Sequence, residues 1–177
     1  MDWYETVFEL IDMRSFSNLW FWIALAVLWS SVSHWVLGVP WDMVLRAKKK
    51  DASEEAVRDL EDMVRINCNR ILYIVGESGL LMAGFACFML TVLFMLGFLY
   101  GMEFAQAIFL LGFPMSLVGL MSWKTARGIQ MQGLAGDALY KRMYKHRLFT
   151  QLIGMLSIFV TAMWGMLQNM QAGVLGG

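Results

Sequence analysis

Thiol, imidazole and proline are scarce in this chain, and the shortages close off several classes of function. Two cysteines, Cys68 and Cys87, stand 19 residues apart. On one helix that is about 28 Å, far beyond the reach of a disulfide. Neither belongs to a Cys-x-x-Cys or Cys/His pattern, so both are expected as small apolar packing residues. There are only two histidines, His34 and His146, and one of them sits between Lys145 and Arg147. No haem or metal pair is expected from them. The sixteen methionines show no clustering on a polar face that would suggest copper. Phosphate-loop, nucleophile-elbow, zinc-protease and dinucleotide motifs are all absent. The chain is therefore expected to be no enzyme and to carry no cofactor. Charge is scarce too: 16% of residues, fourteen basic and fourteen acidic, net zero. Soluble domains carry roughly 25%, and the zero balance gives no global field to attract nucleic acid.

Long apolar runs are abundant. The chain is 59% hydrophobic with a mean hydropathy of +0.56 over 177 residues, concentrated in a few stretches as in membrane proteins. The longest, Ser78–Met102, holds 25 consecutive uncharged residues, enough to cross a ~30 Å hydrocarbon core as a helix. Upstream, Ser53 with Glu54 and Glu55 forms a helix start, and neither Gly nor Pro follows until Gly76. One helix of roughly 45 residues, about 70 Å long, should rise from the cytoplasm and continue through the bilayer.

The rest is placed around that pillar, giving an all-α membrane protein with four transmembrane helices. Residues 2–13, with Trp3, Val7, Leu10 and Ile11 at helical spacing against acidic residues, predict an interfacial amphipathic helix. The first span covers residues 18–38, edged by Trp20, Trp22, Trp35 and Trp41 and broken at Gly38 and Pro40. Residues 41–70 form a cytoplasmic segment, beginning with a short surface-lying piece. Residues 71–100 form the second span and 104–122 the third, kinked at Pro114, with a tight turn at Tyr100–Glu103 between them. Residues 123–147 form a second cytoplasmic segment, loosely structured around Gly128, Gly133 and Gly136 until Asp137 caps a helix. That helix leads into the fourth span, 148–167. An acidic start, Met-Asp-Trp-Tyr-Glu, argues against a signal peptide.

Four constellations stand out. Within the spans, Ser30, Ser33, His34, Glu77, Ser116 and Gln151 come to similar depth, so an intramembrane polar cluster is one possibility. An ionisable group such as Glu77 inside a span is a functional candidate by default, although it could instead snorkel toward Arg70. Small-residue faces recur on three spans: Ala26, Ser30, Ser33, His34 and Gly38; Gly76, Gly79, Ala83 and Cys87; and Gly154, Ser157, Thr161 and Gly165. Such faces let helix backbones approach. Lys141, Arg142, Lys145, His146 and Arg147 form a basic group suited to lipid headgroups. Val57, Leu60, Met63 and Val64 form an apolar stripe on the pillar's base, a candidate partner-docking surface.

The opening MDWYETVFELIDMRSFSNLWFWIALAVLWSSVSHWVLGVPWDMV, with FAQAIFLLGFPMSLVGL further on, resembles a group of small uncharacterised inner-membrane proteins of alphaproteobacteria. The resemblance spans most of the chain and implies a bacterial inner-membrane location. Some members are linked to the Suf iron–sulfur assembly machinery, but this chain has neither a cysteine cluster nor a soluble scaffold domain to match. It brings no catalytic residues. The expected function is a non-catalytic accessory, assembly or scaffolding subunit of a larger respiratory or photosynthetic complex, with membrane lipids and other inner-membrane subunits as partners. The alternatives are a small homo-oligomeric transporter or channel using the Glu77 cluster, and a membrane redox or enzyme subunit.

Orientation follows from charge. The 41–70 connection holds seven Lys/Arg and the 123–147 connection six, while Arg14 is the only one elsewhere. Positive-inside puts both connections in the cytoplasm and both termini in the periplasm. Reporter fusions after Leu175 should therefore report a periplasmic position; a cytoplasmic signal there would overturn the four-span topology.

Overall fold

The computed structural model describes residues 15–17, 19–49 and 51–175, with side chains as far as Met170. The expected helix at residues 2–13 lies outside the described residues. A 3-10 turn, Ser15–Ser17, leads into α1 (Leu19–His34), and a hairpin joins β1 (Trp35–Val36) to β2 (Val39–Pro40). The helices α2 (Trp41–Ala47), α3 (Glu54–Phe94), α4 (Glu103–Gln132) and α5 (Gly136–Leu175) follow. The chain is all-α apart from that hairpin. Three helices, α3 with its extension to Leu99, α4 and α5, are long and apolar enough to cross a membrane. Helix α1 has 16 residues, about 24 Å at ~1.5 Å per residue, which by itself is short of a ~30 Å core.

The start of α3 is locally encoded. Ser53 caps it, its Oγ accepting from the Ala56 N–H at 3.2 Å, and Glu54 and Glu55 meet the positive end of the helix dipole. The helix then runs unbroken for 41 residues before a π-turn at Met95–Leu99. There Gly97 lets the start of α4 come close: a Cβ on it would lie 2.9 Å from the Gln106 nitrogen. Gln106 ties the hairpin together, its Nε2 donating to the Gly97 carbonyl at 2.8 Å.

Three local expectations differ from what is found. The stretch expected to be loose around Gly128 is helical, because α4 continues to Gln132 and stops only where Gly133 takes a left-handed φ of 55°. The start of α5 is held by Glu61 of α3, whose Oε1 accepts from the Gly136 N–H at 3.0 Å, rather than by Asp137. And α1 ends at His34, four residues before Gly38, because Leu37 and Gly38 (φ 54° and 76°) form a two-residue turn between Val36 and Val39. A left-handed leucine costs on the order of 1 kcal/mol or more; burial of Leu37, 5% exposed, holds it there.

The main core lies at the end of the molecule that carries the basic connections. Trp41, Val44 and Ala47 of α2, Leu60, Val64 and Cys68 of α3, Ala126 and Ile129 of α4, and Leu139 and Met143 of α5 meet there. The piece at Trp41, expected to lie on a surface, is thus part of a core. The stripe expected to dock a partner is also buried here: Leu60 and Val64 are 0% and 1% exposed, with Val57 and Met63 packed against the same cluster. Leu60 and Val64 are therefore closed off by the chain's own helices, while Val57 and Met63 keep partial exposure at the edge of the core. Burial pushes the Cys68 thiol up to about 11. Two smaller clusters run along α1, one around Phe16, Phe21 and Ala107, the other around Leu25, Trp29 and Val118.

In a Cys87→Ala background, Cys68 should resist maleimide at neutral pH until the protein is unfolded. Leu60→Ala should cost about 2–5 kcal/mol and raise the labelling rate. Labelling of the parent as fast as in denaturant would mean that this core is not formed.

Candidate functional site

The structure does not join the six residues of the expected polar cluster. Ser30, His34 and Glu77 are exposed, and the His34 ring meets only the edge of Trp35, at 5.9 Å. Ser116 bonds within its own helix, to the Gly112 carbonyl at 2.8 Å. Gln151 is half-buried, and Ser33 contributes its backbone: Arg147 Nε donates to the Ser33 carbonyl at 3.2 Å. Among the described residues no hydrogen bond links any two of the six, and Glu77 makes none at all.

That Arg147 contact is one of two that fasten α1 to α5. Its guanidinium also lies 4.5 Å from the Trp41 ring centre, and a cation at the end of α1 complements the helix dipole. At the other end Ser17 Oγ donates to Asn169 Oδ1 at 2.7 Å. The two contacts align α1 antiparallel with residues 147–169 of α5, a stretch about 33 Å long at ~1.5 Å per residue. Between them the small face of α5 meets α1's aromatic rings. A Cβ on Gly154 would come 2.7 Å from Trp29, and one on Gly165 would come 3.3 Å from Phe16 and Trp22. Thr161 is fully buried on the same face, and Ser157 Oγ reaches the Leu110 carbonyl of α4 at 3.5 Å.

The small faces of α1 and α3 are different. Ala26, Ser30 and His34 are exposed on α1, and Gly76, Ala83, Gly84 and Cys87 on α3. A Cβ at Gly76 or Gly84 would meet nothing within 4 Å. The most apolar 18 residues of α3 contain no buried position, and Leu80 is 90% exposed. A cleft of about 400 Å³ opens between α1 and α4 beside the base of α3, lined by Ser31, Trp35, Ile71, Met115 and Gly119. The candidate site is this uncovered pair of faces, with the cleft beside α1.

The basic group divides. Lys141 and Lys145 are exposed, Arg142 is half-buried, Arg147 is engaged with α1, and His146 is only 5% exposed. Ser122 Oγ donates its one proton to the Val118 carbonyl at 2.8 Å, so it accepts from His146 Nε2 at 3.1 Å. Nε2 therefore carries a proton, and Nδ1 is buried with no partner among the described residues. Burial, and then the Arg142 charge, hold His146 down to about 4, just below the 148–167 segment. Sequence reasoning missed Ser122, Lys124 and Thr125 as companions of this group. Their positions at the end of the third apolar run were the available signal. It also missed Gln106, 3% exposed, whose Oε1 accepts from Trp164 Nε1 at 2.8 Å.

No protein-family model, curated protein or solved structure matches the chain, so its chemistry is argued from its own geometry.

Because His146 is depressed from 6.5 to about 4 on folding, the unfolded chain takes up a proton in this window and the folded chain does not. Stability in detergent should be full above pH 6.5 and fall as pH drops toward 4. His146→Gln should remove that part of the slope; an identical slope in the variant would place the imidazole in water.

Proposed function

We propose that the protein is a non-catalytic accessory or scaffolding subunit of a larger complex in the bacterial inner membrane. Other membrane subunits would seat against the faces of α1 and α3. The observation that carries this reading is the set of glycines with nothing against them. Glycine costs a helix interior about 1 kcal/mol relative to alanine. At Gly154 and Gly165 the tight fit to Trp29, Phe16 and Trp22 offsets that cost. At Gly76 and Gly84 nothing among the described residues does, and a close-packed helix from another subunit would.

The same reading takes α1 as a fourth, short crossing. Its two end contacts, to Arg147 and Asn169, place it beside a helix long enough to span. Both termini then lie in the periplasm. A homo-oligomeric transporter is the second reading, favoured only by the exposed carboxylate of Glu77, which has no partner among the described residues.

The test uses Gly84→Leu. A Cβ there meets nothing within 4 Å among the described residues and leucine improves helix propensity, so folding and insertion should be unchanged. Wild-type protein purified in mild detergent should co-migrate with unrelated membrane subunits in fixed stoichiometry, and Gly84→Leu should lose them. A single homogeneous oligomer, with ion flux in proteoliposomes that Glu77→Gln abolishes, would replace the accessory reading with transport.

A further inference from the structure

Where α4 and α5 leave their apolar runs, a second cavity of about 170 Å³ opens between them. Its wall carries three cations, Lys124 from α4 and Arg142 and Lys145 from α5. No carboxylate lines it. The three ion pairs among the described residues, Asp42–Arg46, Glu54–Arg58 and Asp62–Arg65, all lie elsewhere. The acidic groups nearest along the chain are accounted for. Asp137 is exposed at the start of α5, and Glu61 accepts from the Gly136 N–H. Three positive charges thus converge without a counter-charge among the described residues.

Two further features show that the cavity is more than a cluster of surface lysines. Thr125 lines it and is 5% exposed, yet its hydroxyl makes no hydrogen bond among the described residues. Its oxygen keeps access to solvent, so an acceptor entering the cavity can take its proton. Arg142 is also pre-positioned. Its guanidinium rests on the α4 backbone at Gly128, where any Cβ would come within 3.0 Å of it. A larger residue at 128 would push the guanidinium aside.

Apart from His146, the remaining wall is apolar and lies on the membrane side. Met121 belongs to the uncharged run that ends at Lys124, and Phe149 lies near the start of the one that follows Arg147. Phe149 is 46% exposed, and Lys145 Nζ stands 6.0 Å from its ring centre. A ligand here meets positive charge and a hydroxyl donor at headgroup level and apolar surface toward the hydrocarbon.

We propose that this cavity binds the phosphate of an anionic phospholipid, with the glycerol and first acyl carbons lying along Phe149 and Met121. Lys124, Arg142 and Lys145 contact the phosphate oxygens, and Thr125 donates its hydroxyl proton to one of them. A free phosphate would satisfy the polar half alone and leave the apolar wall unused, so the lipid is the favoured source.

Native mass spectrometry of the full chain in mixed micelles tests this with three probes: phosphatidylglycerol, phosphatidylcholine and inorganic phosphate. The expected result is one phosphatidylglycerol retained at concentrations where phosphatidylcholine is not. The Lys124→Gln/Lys145→Gln pair should weaken it at least tenfold. Both lysines are exposed, so the variant should keep its helicity and elution volume. Arg58→Gln, outside the cavity, should bind as wild type. Loss of lipid to the same extent in Arg58→Gln would reduce the effect to general charge and overturn the proposal. Equal retention of phosphatidylcholine would overturn it as well. Saturation by inorganic phosphate without phosphatidylglycerol binding would overturn the lipid as the source. If the double variant misfolds, Thr125→Val serves instead, with a several-fold loss expected and unchanged retention overturning the hydroxyl's role.

Discussion

Burial of apolar side chains away from water is the interaction on which this architecture depends, and it acts at one end of the molecule only. Within a bilayer, leucine against leucine gains little over leucine against lipid, so the hydrophobic effect gathers helices only where they emerge. Leu60, Val64, Leu139 and Met143 are at most 1% exposed in a core that joins α2, α3, α4 and α5. The three longest helices are bound together at this charged end. Polar contacts around the core set their register: Glu61 to the Gly136 N–H, Gln130 to Asn69 at 3.1 Å, and Asn67 to the Gly38 carbonyl at 3.2 Å.

Farther along, shape and hydrogen bonds hold the helices where they are held at all. Gly154 and Gly165 receive aromatic rings, and Gly97 admits the backbone at Gln106. Gln106 then bridges Gly97 and Trp164. Phe94, Phe98 and Phe109 pack with ring centres 5.1–5.7 Å apart near the hairpin. Helix α3 is fastened by its base and by this hairpin, and little of the chain covers the length between. Such a helix is a natural place for a second protein to seat, because glycines there carry a cost with no return inside the chain.

The two candidate sites differ in the forces they would use. The uncovered faces of α1 and α3 offer close backbone approach and nearly no charge, which suits another helix. The cavity between α4 and α5 offers three cations and a free hydroxyl next to apolar surface, which suits a single amphiphile. Both sit on the framework that the charged-end core sets up, and neither draws on Glu77.

The sequence by itself determined the helical class, the Ser53 start of α3, the tight turn after Leu99 and the three helices long and apolar enough to span. These follow from hydropathy, capping and glycine, which act between residues near in the chain. It also marked the small face of α5 as a packing surface. The tertiary structure decided what each face meets. Val57, Leu60, Met63 and Val64 make an amphipathic stripe whose periodicity is the same whether it faces a partner or its own chain, and only folding shows the latter. Glu61 caps a helix that begins 75 residues later, and Arg147 closes the end of α1 from 114 residues away. His34, Glu77, Ser116 and Gln151 share a depth but not a direction, because depth follows from counting residues while direction depends on how each helix is rotated against its neighbours. Thr125 and Lys124 became parts of a cavity only when α5 was laid beside α4.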